Sequence, residues 1–172
     1  RAKAEILIFE RQHDDALEAI RSAIKLDPND ADNSAELSSI LVWAGKPAAA
    51  IEPIQKAIRL NPFHPPIYLC HFGSAYFSLG NSVAAKEKFE ACKTGNPRNL
   101  WPYIYLIATY AHLGNDAKAA ETRKQVTELL KRRNRSLFTV QEVRNRVRYR
   151  YGADQARLLL GLNKGQIPSS LF

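Results

Sequence analysis

The residues best equipped for chemistry in this chain are four histidines, two cysteines and one run of arginines. His13, His64, His71 and His112 form neither an HExxH pattern nor an i, i+4 pair, the spacings that put two zinc ligands on one helix face. Cys70 and Cys92 make no CxxC spacing, and they read as two small buried thiols of a reducing compartment. Cys70 and His71 are neighbours, but adjacent helix residues point about 100° apart, so they do not make a nucleophile–base pair. No GxSxG elbow and no GxxxxGK phosphate loop occurs. We expect no enzyme, no metal site and no cofactor. The arginine run is residues 144–152, RNRVRYRYG, in which Arg144, Arg146, Arg148 and Arg150 form a candidate polyanion site.

The charge around that run is local. The chain carries 25 Lys/Arg against 17 Asp/Glu, a formal net charge of +8. Residues 1–130 hold 15 of each sign and are neutral, whereas residues 131–150 hold eight basic groups against Glu142 alone. Electrostatic docking on nucleic acid or an anionic membrane would therefore use residues 131–150, not the whole surface.

Length (172 residues) and composition (45% hydrophobic, 24% charged) fit one folded domain. No apolar run approaches the ~20 residues of a membrane helix. The opening RAKAEIL and the lack of any methionine predict a piece of a longer protein. The cytoplasm is the preferred location, with a periplasmic part of a membrane protein as the alternative.

The elements that position these residues repeat. KLDPND, RLNPFH and TGNPRN place prolines at 28, 62 and 97. Ala16, Ile20, Ala23 and Leu26 precede the first, Ala50, Ile54, Ala57 and Leu60 the second, and Ala85, Phe89 and Cys92 the third. Ala119 and Val126 begin a fourth copy in which Arg123 and Lys131 replace the apolar residue and the proline. Spacings of i, i+4, i+7 mark one helix face, and a following proline stops the helix. Each unit also has an earlier amphipathic stretch ending in a turn at Gly45, Gly80 or Gly114. The expected unit is helix, glycine turn, helix, proline turn, with breaks after Leu26, Leu60 and Lys93 and a kink at Pro53.

Leu69, Phe72, Gly73, Tyr76, Gly80, Ala85, Phe89 and Pro97 resemble the tetratricopeptide repeat family almost position for position. Tyr103, Leu106, Tyr110, Gly114 and Ala119 match in the next unit, and Leu37, Leu41, Gly45, Ala50 and Pro62 in the one before. Ser38 and Ile107 depart from the small residue at the Gly73 position. The resemblance implies an all-α fold: a right-handed α-solenoid of antiparallel helix hairpins with C-terminal capping helices. Residues 1–133 would be the array, with a truncated first repeat and then 31–64, 65–99 and 100–133. Residues 134–172 would be a basic helical cap and tail. The stretches NPFHPPIYL, GSAYFSLG and YGADQARLLLGLNKGQIP also resemble the repeat-bearing C-terminal regions of bacterial class III adenylate/guanylate cyclases, which implies a part in bacterial signal transduction.

The family resemblance implies a concave surface lined by the first helix of each unit, and a function as a non-catalytic protein- or peptide-binding scaffold. Carried onto this sequence, the groove takes Ala35, Ser39, Val42 and Trp43 from the second unit. It takes Ile67, Cys70, His71, Ser74 and Phe77 from the third, and Trp101, Ile104, Tyr105, Ala108 and His112 from the fourth. The Lys and Asn with which chaperone-binding members grip a peptide carboxylate are replaced by small or apolar residues. So apolar a surface needs an occupant. That occupant is an amphipathic helix or extended apolar peptide of a partner, or the chain's own C-terminal segment.

That segment has its own helix signals. Thr139 and Glu142 form a capping box, Val140, Val143 and Val147 repeat at i, i+3, i+7, and ADQARLLLGLNKG at 153–165 is strongly apolar. On one continuous helix Arg144 and Arg148 share a flank and Arg146 and Arg150 another, which makes a solvated cap face the preferred reading of the arginines. The cap would bury its valines against the fourth unit.

Overall fold

The computed structural model describes residues 1–136 and 138–169. Four hairpins follow one another: α1 (Ala2–Phe9) with α2 (His13–Leu26), α3 (Ala31–Trp43) with α4 (Ile51–Leu60), α5 (Ile67–Ser78) with α6 (Ser82–Gly95), and α7 (Trp101–His112) with α8 (Asp116–Lys131). Two further helices close the chain, α9 (Val140–Arg146) and α10 (Gly152–Lys164). No strand occurs among the described residues. The all-α hairpin array expected from the 34-residue register is what forms.

Local chemistry accounts for the boundaries. Asp30, Asn81 and Asn115 cap α3, α6 and α8 by accepting a hydrogen bond from the backbone three residues on. Thr139 and Glu142 complete their capping box at α9. Gly45, Gly80 and Gly114 lie at φ 75°, 81° and 69°, a left-handed conformation that only glycine adopts without steric cost. Proline follows α2, α4 and α6 within two residues of the helix end, and α6 runs to Gly95, two residues beyond the expected break.

Pro53 produces no mid-helix kink. The second helix of that unit starts as a 3₁₀ turn, Pro47–Ala50, and becomes α-helical at Ile51, which leaves Pro53 in the first turn. There its missing N–H is not needed.

The small positions sit where helices approach closely. Ala16, Ala50 and Ala85 are fully buried and Ala119 nearly so. A side chain on Gly73 would lie 2.8 Å from the Phe89 ring, so the glycine is what lets α5 seat against α6. The fourth hairpin exchanges both partners: Arg123 stands where Phe89 would be, and fully buried Ile107 stands where Gly73 would be. Arg123 instead turns outward and donates to the Gln166 carbonyl at 2.8 Å. Tyr110 is buried between hairpins and donates its hydroxyl to Glu90 on α6.

Cys70 and Cys92 are not thiols. They form a disulfide that staples α5 to α6. Two cysteines 22 residues apart carry no pairing signal in sequence, and only the antiparallel hairpin brings their Cα atoms to 5.5 Å.

Candidate functional site

The first helices of the second, third and fourth hairpins gather an aromatic cluster. Trp43 from α3 and Trp101 from α7 approach to 5.6 Å between ring centroids, and Trp101 lies 4.9 Å from Tyr105. Phe77 meets Tyr105 edge-on at 5.3 Å and His112 at 5.8 Å. Between α3, α5 and α7 a cavity of about 190 Å³ stays open, lined by Ser39, Val42, Trp43, Ile67, His71, Ser74 and Trp101. Seven positions carried into the groove from sequence thus come together. His71 is half-buried there, and loss of hydration pushes its imidazole down to about 4, so at neutral pH it is an uncharged donor and acceptor.

Two of the carried positions lie elsewhere. Cys70 points into the α5–α6 hairpin as half of the disulfide, with no exposed surface. Ala35 packs in a separate cluster with Ile54, Ala57, Tyr68 and Phe72, between α3 and its neighbours. Both share the helical stripe of the groove residues but are taken up by a neighbouring helix, Cys70 by α6 and Ala35 by the packing of α3 on α4 and α5.

The other half of the concave face is covered by the chain itself. α10 packs along α7, with Gly161 against Ala108 and Gly165 against Ile107. His112 Nε2 donates to the carbonyl of Arg157 at 2.8 Å, and the Arg157 guanidinium lies 5.8 Å from the centre of the Phe77 ring. Ile104, with Trp101 and Leu100, meets Val143 and Val147 at the edge of a second cavity of about 200 Å³. Val140, Val143 and Val147 are all buried, as the valine stripe requires.

The helix nevertheless stops at Arg146. Residues 147–149 lie outside any helix and residues 150–151 bend, with Val147 at ψ 147° and Tyr151 at ψ 136°, and the segment crosses from the fourth hairpin back to the first. Val147 and Tyr149 point inward, 0% and 3% exposed, while Arg148 and Arg150 point away. Tyr149 lies 4.7 Å from the Trp43 ring, and its hydroxyl meets that of Tyr105 at 2.9 Å. Burial raises both phenols above their ordinary value, so the pair stays protonated.

Backbone bonds hold the crossing. Arg11 donates to the carbonyls of Val147 and Tyr149, both at 3.3 Å. His13 Nε2 donates to the carbonyl of Arg148 at 2.7 Å, and the Arg150 amide donates to the Trp43 carbonyl at 2.8 Å. Arg150 also pairs with Asp14, Nη1 to Oδ1 at 2.8 Å. Arg11, His13 and Asp14 were invisible as site residues, because their partners lie some 136 positions away.

The arginine run is therefore divided. The two-flank arrangement of Arg144 with Arg148 and Arg146 with Arg150 does not exist, because the four residues do not share a helix. Arg144 and Arg146 are exposed on α9 and form no ion pair among the described residues. Arg148 lies over the Phe9 ring at 5.4 Å, and Arg150 is committed to Asp14. The valine period predicted a longer helix; β-branched and aromatic residues alternating with arginine favour the extended form once their inner face is buried.

A tetratricopeptide repeat family model matches residues 2–30, which hold the α1–α2 hairpin read from sequence as truncated. The crystal structure of TTC0263, a thermophilic tetratricopeptide repeat protein of Thermus thermophilus, superimposes with a TM-score of 0.69 at 21% identity, covering 95% of this chain and 83% of that one. A MamA crystal structure gives 0.65 at 20% identity, with 95% and 92% covered. YrrB, described as a tetratricopeptide repeat protein with an unusual peptide-binding site, gives 0.60 at 18% identity, with 94% and 80% covered. No curated protein sequence matches. In fold the chain is an α-solenoid of the tetratricopeptide repeat type. Among the described residues no helix is long and apolar enough to cross a membrane.

Proposed function

We propose that this chain is a non-catalytic module that binds a peptide or protein segment on its concave face. The observation that carries the reading is the open cavity between α3, α5 and α7, walled by Trp43 and Trp101 and floored by neutral His71. Paired tryptophans at a half-open apolar site are the kind of surface on which a few anchors supply most of the binding energy. The cavity takes one bulky apolar or aromatic side chain. The peptide-binding site named for YrrB on the same fold is in keeping with this use. The likeness of the C-terminal stretches to nucleotide cyclases suggests a bacterial signalling protein as the parent chain. The preference for cytoplasm over periplasm turns on whether Cys70 and Cys92 are oxidised in the cell.

The test is selection of a random peptide library on the full chain, with binding of the enriched peptides measured by fluorescence anisotropy. Enriched sequences should carry an aromatic or large aliphatic anchor, and their affinity should fall at least ten-fold in Ile67→Glu, which charges the cavity wall. No enrichment, or binding indifferent to Ile67→Glu and Trp101→Ala, refutes the reading.

A further inference from the structure

The concave face already holds an extended peptide, supplied by the chain itself. We propose that residues 147–151 are a resident ligand, and that the partner is an extended segment with bulky side chains at alternate positions which binds by displacing this strap. The proposal rests on the groove reading above and names the partner's form and the regulation of that same site.

The strap meets the groove as a bound peptide would. Its backbone is extended at Val147 and at Tyr151, its main-chain groups bond to the array, and Val147 and Tyr149 are buried while Arg148 and Arg150 are more exposed. Tyr149 is the anchor, seated on Trp43 and bonded to Tyr105. Arg150 reaches the acidic start of α2 at Asp14, with Asp15 beside it, so the track favours basic residues between the anchors.

Several features make the strap removable. The Arg11 bonds to its carbonyls are long, at 3.3 Å, and Arg11 itself sits at φ 62°, a conformation costly for a residue other than glycine. The Asp14 side chain of the Arg150 pair is 69% exposed, where ion pairs contribute little. The Arg148 Nε atom is buried without a hydrogen-bond partner, which penalises the closed state. The strap is held between α9 and α10, so it leaves as a loop anchored at both ends. The strap also leaves the cavity beside Trp43 empty. A partner that follows the same track and adds one bulky side chain there gains a contact the strap lacks, which it needs to outcompete a tethered segment at high effective concentration.

The experiment uses the full chain and a fluorescein-labelled peptide of residues 144–151, RNRVRYRY, beside a scrambled peptide of equal charge, at physiological salt. Tyr149→Ala removes the internal anchor. Arg150→Glu, a surface change, sets a third carboxylate beside Asp14 and Asp15, a repulsion that loosens the strap without touching the core, and it decides the matter should Tyr149→Ala fail to fold. We expect the labelled peptide to bind each folded strap variant at least ten-fold more tightly than wild type, and Trp43→Ala added to Arg150→Glu to abolish the gain. Hydrogen exchange at residues 147–151 of the wild type should rise when a library-selected peptide is added. Equal binding to wild type and both strap variants, or no rise in exchange, overturns the displacement proposal and leaves the groove reading intact. Equal binding of the scrambled peptide also overturns it. Failure of every variant to bind this peptide or any library peptide brings down the groove reading itself.

Discussion

Gly161→Ala sets two effects of similar size against each other at the contact between α10 and α7. Gly161 lies inside α10, where alanine is favoured over glycine by about 0.5–1 kcal/mol. A methyl group there would lie 2.7 Å from the Ala108 Cβ, 2.9 Å from its Cα and 2.9 Å from its carbonyl oxygen. Two of these three atoms are backbone, so no rotamer change relieves the clash, and α10 must move off α7. Overpacking of this kind costs roughly 1–3 kcal/mol. The net expectation is a loss of about 1–2 kcal/mol, a fall in Tm of about 2–8 °C for a chain of this size. Gly152→Ala is the control, since nothing lies within 4 Å of its added methyl group and the change should be neutral or slightly stabilising. Thermal unfolding followed by circular dichroism, with hydrogen exchange on α10, reads both variants. Gly161→Ala as stable as Gly152→Ala, with α10 equally protected, would refute the close seating of α10 on α7.

Titration should separate two buried groups. His71, pushed down to about 4, stays neutral when folded but takes up a proton near 6.5 when unfolded, so its contribution is complete above about 6.5 and is lost as pH falls toward 4. Glu36, pushed up to about 7 by burial and by Glu5, holds its proton when folded and releases it above about 4.5 when unfolded, so its contribution is lost as pH rises from 4.5 to 7. Urea unfolding from pH 4.5 to 6.5 should therefore show stability rising more steeply with pH in Glu36→Gln than in wild type, and less steeply in His71→Asn; unchanged slopes would contradict the burial of either group. Reducing the Cys70–Cys92 bridge, which spans 22 residues, should cost about 3 kcal/mol by chain entropy and lower Tm by about 6–12 °C, checked by melting with and without dithiothreitol. Labelled duplex DNA and anionic vesicles should show no micromolar binding at physiological salt, because Arg150 and Arg148 are drawn off to Asp14 and Phe9 and the other basic groups of 131–150 are divided between the end of α8, its connection and α9; tight binding with a steep salt slope would restore residues 131–150 as a docking site.

What could be read from sequence was local. The Thr139–Glu142 capping box, the glycine turns and the proline stops are each fixed by neighbours within four positions and appear where expected, except that α6 runs two residues past Lys93 and Pro53 makes no kink. The aromatic wall was legible too, because Trp43, Phe77, Trp101 and Tyr105 follow from helical spacing once the register is set. Helical spacing alone was less secure: Cys70 and Ala35 share the stripe of the groove residues, yet Cys70 is bonded to Cys92 of α6 and Ala35 is packed against Ile54, Ala57, Tyr68 and Phe72. The strap was half legible: the Arg/Tyr alternation is a strand period, and the valine stripe was preferred over it. Its helix reading came from valines at i, i+3, i+7, a period that Val147 satisfies by chance while its backbone is already extended. What turns the chain there is the seat offered by Trp43, Tyr105 and Arg11, and no local pattern announces partners that distant.

The strap also changes what kind of object the array is. A solenoid is held by contacts between adjacent hairpins, so its ends are its weakest units. Here α1 is only eight residues long and leaves Ile6 and Phe9 largely exposed, yet Arg148 covers the Phe9 ring while Arg11, His13 and Asp14 are all bonded to the strap. The segment that follows the fourth hairpin thereby braces the first, and couples units that share no direct helix contact. Displacing it would uncover Trp43 and Tyr105 and at the same time release the α1–α2 turn. Occupancy of the groove and order at the far end of the array are then a single equilibrium, with the partner on one side and the chain's own tail on the other.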